Sequence, residues 1–213
     1  MKRNVILIVL ALVTLSLTAV GYRPMLIARE RHTRRAERLV AEKNAAPLVL
    51  DTATESILAG ADRVETFRLA DFHEGERRTE AEDALLSGDH QTTLDNYVIL
   101  RAGSPQDKTF AATLRAALSQ TPSPIGKDGR GVGVPSCFDP GIGFRIWKGA
   151  AHVDLCVCFY CSGIEIVTRD ADHKTVSQQT LTLGRSRAAF LTLSRQAFPQ
   201  DAALAALKDT EGD

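Results

Sequence analysis

Four cysteines are concentrated in a short part of this 213-residue chain. They are Cys137, Cys156, Cys158 and Cys161, and their spacing is C-x18-C-x-C-x2-C. Cysteines that lie close together in a fold form disulfides, bind zinc as thiolates or take part in thiol-redox chemistry. Which of these applies depends on how the surrounding strands bring the cysteines together.

Two segments in which apolar and polar residues alternate, 143–148 and 152–160, predict neighbouring β-strands joined by a tight turn. In an antiparallel hairpin centred on that turn, the numbers of paired residues sum to about 299. This register places Cys137 beside Cys158 and Cys161, because the chain before the first strand lies alongside the end of the second. The pattern therefore predicts one cysteine cluster at the open end of the hairpin.

A disulfide is the first interpretation, and it is expected if the domain lies outside the cytoplasm. Cys137 would then pair with Cys158 or Cys161 across the hairpin. A bridge between Cys156 and Cys158 is not expected, since residues two apart on an extended strand lie beyond disulfide reach. Cys156, in the middle of a strand, also has the position of a small buried side chain.

Zinc binding is the second interpretation, with Cys137, Cys158 and Cys161 as thiolate ligands. Segment 158–163 (CFYCSG) resembles a zinc knuckle, in which a tight turn carries two thiolates. A structural zinc ion needs four ligands, and His152 and His173 are further candidates. Redox chemistry is the third interpretation, although a thioredoxin-like CxxC begins a helix and this one precedes a turn and a strand. The main prediction is that the protein has no cofactor, and zinc is the alternative.

A second group of candidates lies on the same strands. Arg145 and Trp147 share one face of the first strand, and with Tyr160 they form a candidate binding face, because Arg and aromatic side chains are frequent at interfaces. A helix that covers this face is the alternative. His152 and Asp154 share a face of the next strand and can pair. The chain has no nucleophile-elbow serine motif and no HExxH motif, so no catalytic residue is predicted.

Four short blocks in this region carry a resemblance: 137–141 (CFDPG), 144–149 (FRIWKG), 153–155 (VDL) and 158–161 (CFYC). Together with 61–65 (ADRVE), they resemble a group of uncharacterised bacterial proteins that carry a CFxPG…FRxWxG…VDxxxCFxC pattern behind a signal sequence or lipid anchor. The resemblance implies that Cys137, Cys158 and Cys161 form the shared set and that Cys156 is an addition. It implies no activity.

Residues 5–22 form an apolar, uncharged segment behind Lys2 and Arg3. Such a segment is either a signal peptide (residues 1–22) that is cleaved near Gly21, which would release the protein, or a signal anchor that stays in the membrane. The charge-rich stalk 23–46 follows. The order of these regions predicts a domain on the periplasmic side, whereas the positive-inside rule would place the domain of an uncleaved chain in the cytoplasm. The predicted partners are the membrane, through residues 5–22, and an envelope protein.

Composition narrows the classes of function. Lysine plus arginine and aspartate plus glutamate number 26 each, and this neutral balance argues against general nucleic-acid binding. Hydrophobic residues make up 44% of the chain, which is typical of a globular domain. No motif identifies a small-molecule ligand.

Hydrophobic periodicity predicts one α+β domain over 47–208 and a disordered tail over 209–213. Helices packed on an antiparallel five-stranded sheet are expected, with a three-strand meander over 143–168. Segment 71–95 is predicted to be a long acidic loop and 122–133 a flexible connection. Asp107 and Asp201 are predicted N-caps. The predicted strands are 63–69, 96–101, 143–148, 152–160 and 164–168, and the predicted helices are 52–58, 109–120, 187–198 and 201–207.

These features predict a membrane-tethered or exported envelope protein whose domain has a binding or structural role and is not an enzyme. Its cysteine cluster staples the hairpin. A zinc-binding module and an envelope thiol-redox protein are the alternatives.

Overall fold

The structure of the chain is a computed structural model. It describes residues 45–70, 80–87, 92–126 and 138–209. The predicted membrane segment 5–22, nearly all of the stalk and tail, and Cys137 lie outside these residues. No helix among the described residues is long and apolar enough to cross a membrane.

Nine strands and five α-helices are found in the described residues, which begin at Ala45 and belong to one compact unit. The strands are β1 (Ala45–Pro47), β2 (Arg63–Leu69), β3 (Thr93–Leu94), β4 (Tyr97–Ala102), β5 (Pro122–Gly126), β6 (Ile142–Lys148), β7 (Ala151–Cys158), β8 (Gly163–Arg169) and β9 (Thr175–Thr182). The helices are α1 (Thr52–Ala59), α2 (Glu80–Ser87), α3 (Lys108–Ser119), α4 (Arg187–Ala197) and α5 (Ala202–Ala206), and a 3₁₀ turn, Gly184–Ser186, precedes α4.

The strands β3-β4-β2-β6-β7-β8-β9 form a seven-stranded sheet in which every neighbouring pair is antiparallel. β1 and β5 form a separate two-stranded ribbon. The α+β class and the meander β6–β7–β8 are confirmed. The predicted count of five strands is wrong, because β3 and β9 also belong to the sheet.

The two additional strands lack the alternation by which strands are recognised. β3 has only two residues, and β9 is an edge strand made largely of Thr, Ser and Gln, half-exposed along most of its length. β5 lies within the segment predicted to be a flexible connection, and it pairs with β1 despite its two prolines. The acidic segment 71–95 contains the eight-residue helix α2 in addition to β3.

The predicted hairpin register is confirmed. Phe144 pairs with Leu155 and Ile142 with Val157, so that paired numbers sum to 299. The turn works because Gly149 adopts a φ of 60°, a left-handed conformation that glycine adopts without a steric penalty.

The core lies between one face of the sheet and the helices α1, α3 and α4. Phe144 of β6 is fully buried, and its ring centroid lies 6.0 Å from that of Phe110 on α3 and 6.4 Å from that of Phe190 on α4. α3 begins at the predicted N-cap Asp107, whose Oδ1 accepts hydrogen bonds from the N–H groups of Thr109 and Phe110. Local capping and burial of one apolar face thus position the helices.

Asp201 fixes the last helix to the sheet. Its Oδ1 caps α5 by accepting from the N–H of Leu204 at 3.0 Å, as predicted. Its Oδ2 accepts from Arg68 Nε at 2.9 Å and from Arg101 Nη2 at 2.5 Å. Because the side chains of Asp201 and Arg68 are only 4% and 5% exposed, this is a buried ion pair that joins α5 to β2.

Candidate functional site

The sheet face away from the helices carries charged and aromatic side chains in two rows. One row runs Arg63–Trp147–His152–Arg169 and the other Glu65–Arg145–Asp154. We call this surface the polar trough; its members are Arg63, Glu65, Asp95, Arg145, Trp147, His152, Asp154, Arg169 and His173.

The β3–β4 hairpin folds over the polar trough because the sheet curls. In its turn, Asp95 has a φ of 52° and its Oδ1 accepts a hydrogen bond from Arg169 Nη2 at 2.5 Å. Tyr97 donates its hydroxyl to Glu165 Oε2 at 3.1 Å. Burial and the charge of Glu165 raise the pKa of Tyr97, so the phenol stays a donor. The hairpin therefore reaches this face of the sheet at Arg169 and Glu165.

Under the hairpin the face becomes apolar. Cys156 is fully buried there and packs with Leu69 and Leu94. A Cβ on Gly143 would lie 2.2 Å from Leu94 Cδ2, so glycine allows the hairpin to approach β6 this closely. Cys156 is a free thiol, and burial together with nearby carboxylates raises its pKa well above the usual range. Its position and protonation suit packing and not thiolate chemistry.

Arg145 and Asp154 form a bidentate ion pair near the middle of the polar trough. Arg145 Nε and Nη2 donate to the two carboxylate oxygens of Asp154 at 2.7 and 2.8 Å. Asp154 is fully buried, whereas the Arg145 side chain is 21% exposed. Burial alone would lower the pKa of Arg145, but the hydrogen bonds and charge of Asp154 outweigh it and raise that pKa. Arg145 therefore remains a cation with one edge toward solvent.

His152 lies on the floor of the polar trough, only 2% exposed. Its ring centroid is 4.5 Å from Trp147 and 5.7 Å from His173, and its Nε2 is 3.7 Å from Asp154 Oδ2. Neither ring nitrogen has a hydrogen-bond partner among the described residues. Burial lowers the pKa of His152, and the positive charge of Arg145 adds to this while Asp154 opposes it. A neutral imidazole with one N–H and one bare nitrogen is thus buried without partners.

Trp147 separates this floor from solvent. Its Nε1–H donates to Glu65 Oε2 at 3.0 Å, and the guanidinium of Arg63 lies 4.5 Å from the ring centroid. The structure places Arg145 on the same face, 5.6 Å from that ring. Tyr160 does not lie near Arg145 and Trp147. It follows the other end of β7, six residues beyond Asp154, the residue paired with Arg145, or about 20 Å along the strand at about 3.3 Å per residue. Its side chain is largely exposed.

Cys158 and Cys161 lie in the turn between β7 and β8. The backbone N–H of Cys161 donates to Cys158 Sγ at 3.2 Å, which is a bond that a thiolate accepts more strongly than a thiol. No disulfide joins two described cysteines. No group of three or more His, Cys, Asp or Glu side chains with a metal-binding arrangement occurs in the described part of the chain. Cys137, the third member of the predicted set, lies outside that part.

A buried arginine holds this cysteine turn against the helices. Arg187 of α4 donates from Nη1 to the carbonyl of Phe159 at 2.5 Å and to Ser162 Oγ at 3.2 Å. The carbonyl of Ser162 accepts from the N–H of Leu183 at 2.7 Å, and Ser162 itself has a φ of 52°. The turn is therefore fixed on both sides, and Arg187 is a contact that sequence reasoning missed.

Asp95 and Arg169 were also missed as members of the site. Arg169 directly follows the predicted strand 164–168, and in the structure β8 extends to it and pairs it with His152. Asp95 lies 74 residues away along the chain, and its contact with Arg169 arises only because the sheet curls. His152 and His173, both named as further candidate zinc ligands, lie against each other, with ring centroids 5.7 Å apart.

The geometry thus describes a charged surface with a buried, unpartnered histidine, and the buried thiol of Cys156 lies apart from that histidine under the hairpin. Searches of protein-family models, curated proteins and solved structures found no match to this chain.

Proposed function

We propose that this chain is a membrane-tethered envelope protein whose domain binds a ligand at the polar trough and catalyses no reaction. The tether is residues 5–22, and the domain lies on the periplasmic side. Cys137 pairs with Cys158 or Cys161 in a disulfide that staples the hairpin. Cleavage near Gly21 would give the same domain in secreted form.

The observation that carries the binding role is His152. Buried polar groups almost always have hydrogen-bond partners, and one that has none calls for a specific explanation. Both nitrogens of His152 are buried without a partner among the described residues, beside side chains that recognise ligands in other sites, Arg145 and Trp147. A bound ligand supplies the missing partner.

Trp147 makes the test direct, because it is the single tryptophan of the chain. The full chain in detergent micelles is titrated with a mixed panel of small carboxylates, phosphates, amines and sugars. Calorimetry detects binding, and Trp147 fluorescence locates it. We expect at least one chemical class to bind and to change the emission of Trp147.

Two matched variants sharpen this test. Arg63→Gln removes a trough arginine whose side chain is 53% exposed and pairs with Glu65. Arg115→Gln removes an arginine that is 47% exposed and pairs with Glu55 elsewhere. We expect only Arg63→Gln to weaken binding. Binding that leaves Trp147 unchanged, equal loss in both variants, or no binding by any class would overturn the proposal.

A zinc site is the second candidate, and the bond from the Cys161 N–H to Cys158 Sγ favours it. Cys137, Cys158 and Cys161 would be its thiolate ligands. Intact mass under native and then denaturing conditions, with thiol alkylation, separates the candidates. A metal that is lost on denaturation supports zinc, and a Cys137 blocked until reductant is added supports the disulfide. If all four thiols are free and no metal is bound, neither the disulfide nor the zinc site is present, and the cysteines are either packing residues or a reduced thiol-redox pair.

A further inference from the structure

Every carboxylate near the floor of the polar trough already accepts a hydrogen bond. Asp154 accepts two from Arg145, Asp95 accepts one each from Arg169 and Asn96, and Glu65 accepts one from Trp147 Nε1. These carboxylates neutralise the arginines and hold them in place. Because Arg145, Arg169 and Arg63 lie against these carboxylates, their negative charge is already compensated, which reduces the electrostatic gain that a cationic ligand would obtain here.

Donors, in contrast, remain available. The bonds from Arg145 to Asp154 use Nε and Nη2, and its Nη1 has no hydrogen-bond partner among the described residues. His152 has an N–H without an acceptor, whichever nitrogen carries the proton. Trp147 already has a guanidinium on its ring, from Arg63, so the aromatic surface is not vacant for a ligand cation.

From this surplus of donors we infer that the ligand carries a compact oxyanion, a carboxylate or a phosphate, which accepts hydrogen bonds from Arg145 and His152. This inference rests on the proposed function, since it names the ligand class of the same site. Arg169 borders the floor on the opposite side, two strands and two residues along the strand from Arg145, which places their backbones about 12 Å apart for strands about 4.8 Å apart and about 3.3 Å per residue. An oxyanion between these guanidinium groups gains charge-assisted hydrogen bonds.

The same geometry links anion binding to protonation of His152. The groups that face His152 are Trp147 and Arg145 from β6, Asp154 from β7, Arg169 from β8 and His173 from the β8–β9 turn. The pKa of His152 is lowered by burial and by the neighbouring cations. An anion beside the ring favours the imidazolium, which offers a second donor. By linkage, anion binding takes up a proton and becomes tighter as the pH falls.

The test titrates the full chain with sodium acetate or inorganic phosphate and reads Trp147 fluorescence, with sodium chloride at equal ionic strength as the control. Measurements at about pH 8 and about pH 5.5 span the range in which histidine titrates. We expect roughly tenfold tighter binding at the lower pH, which corresponds to a ligand-induced pKa shift of about one unit. Phosphate itself loses charge over this range, so its own titration opposes the expected trend.

His152→Leu is the decisive variant, because leucine keeps the site apolar and packed but removes both nitrogens. We expect it to weaken anion binding and to abolish the difference between the two pH values. His173→Gln, at an exposed position, should reduce the pH dependence only in part. Arg115→Gln should leave both the affinity and its pH dependence unchanged.

Two sources of the oxyanion are distinguished by reconstitution. In nanodiscs of phosphatidylglycerol, a lipid headgroup at the site competes with added phosphate and lowers its apparent affinity relative to phosphatidylcholine nanodiscs. A free ligand gives equal affinities in both. An acetate and phosphate response that chloride reproduces, or that His152→Leu leaves intact, would overturn the oxyanion assignment. If amines or sugars from the panel still bind at Trp147, the proposed function stands and only the ligand class is wrong.

Discussion

Replacing His152 by leucine should stabilise the domain, which is unusual for a change at a fully buried position. The wild-type ring buries two nitrogens without partners, and a buried group left without a hydrogen bond costs about 1–3 kcal/mol. Leucine removes both polar atoms at nearly the same volume. It also removes the ring contact with Trp147 at 4.5 Å, and an aromatic pair is worth about 0.5–1.5 kcal/mol. The net expectation is a gain of about 1 kcal/mol.

The stability of His152→Leu relative to wild type should increase further at acidic pH. The pKa of His152 is lowered in the folded state, chiefly by burial, so the unfolded chain binds a proton first as the pH falls below about 6.5. More protons on the unfolded state mean that wild-type stability rises with pH and falls toward acid. Leucine removes this dependence, so the stability difference between variant and wild type should be larger below about pH 6 than at neutrality.

Urea unfolding followed by far-ultraviolet circular dichroism measures the free energy of unfolding. Tryptophan fluorescence is not used, because Trp147 contacts residue 152 and its emission would respond to the substitution itself. In thermal unfolding followed by the same dichroism signal, the melting temperature should rise by roughly 2–4 °C. His173→Gln, on the exposed neighbour, is the control and should stay within about 0.5 kcal/mol of wild type. A loss of more than about 1 kcal/mol in His152→Leu would refute the reasoning, since it would mean that the ring nitrogens are hydrogen-bonded.

Further outcomes are expected at three other residues. Asp201→Ala should cost about 3–5 kcal/mol in urea unfolding because it leaves Arg68 buried without its carboxylate, while Asp201→Asn should lose less by keeping the helix cap. Burial opposes the shift, but the hydrogen bond from the Leu204 N–H and the charge of Arg68 outweigh it and lower the pKa of Asp201. The stabilisation by Asp201 should therefore be present above about pH 4 and be lost as the pH falls through its folded pKa. If Asp201→Ala and wild type lost stability equally on acidification, this prediction would be wrong. Gly143→Ala should cost about 1–3 kcal/mol by pushing against Leu94, and an unchanged melting curve would show that the hairpin yields freely. Cys156 should resist alkylation in the native chain at about pH 8 and react on unfolding, whereas rapid native labelling would contradict its burial and raised pKa.

Local features of the fold were predictable where neighbouring residues decide them. The register of β6 and β7 follows from the position of the turn at Gly149, and the starts of α3 and α5 follow from the caps Asp107 and Asp201. The boundaries of β2 were predicted to the residue, because its alternation is uninterrupted. Edge strand β9 was missed because it is half-exposed and its residues are mostly polar on both faces.

The composition of the site divides in the same way. Strand alternation alone puts Arg145 with Trp147 and His152 with Asp154, since side chains two residues apart share a face. The predicted register of β6 and β7 also brings Arg145 opposite Asp154, the two residues that form the bidentate pair. That His152 is buried without partners depends on how Trp147 and His173 pack on it from neighbouring segments, and no single segment determines this.

The sequence by itself determined five of the strands (β2, β4, β6, β7 and β8), the register of β6 and β7 and the faces on which their charged residues lie, because these depend on backbone geometry and on residues a few positions apart. Only the tertiary structure decided that the β3–β4 hairpin covers the polar trough and that Asp95 meets Arg169 from 74 residues away. The curl of a seven-stranded sheet is the sum of many strand-to-strand twists. No local pattern encodes that sum, and the contact between Asp95 and Arg169 depends on it.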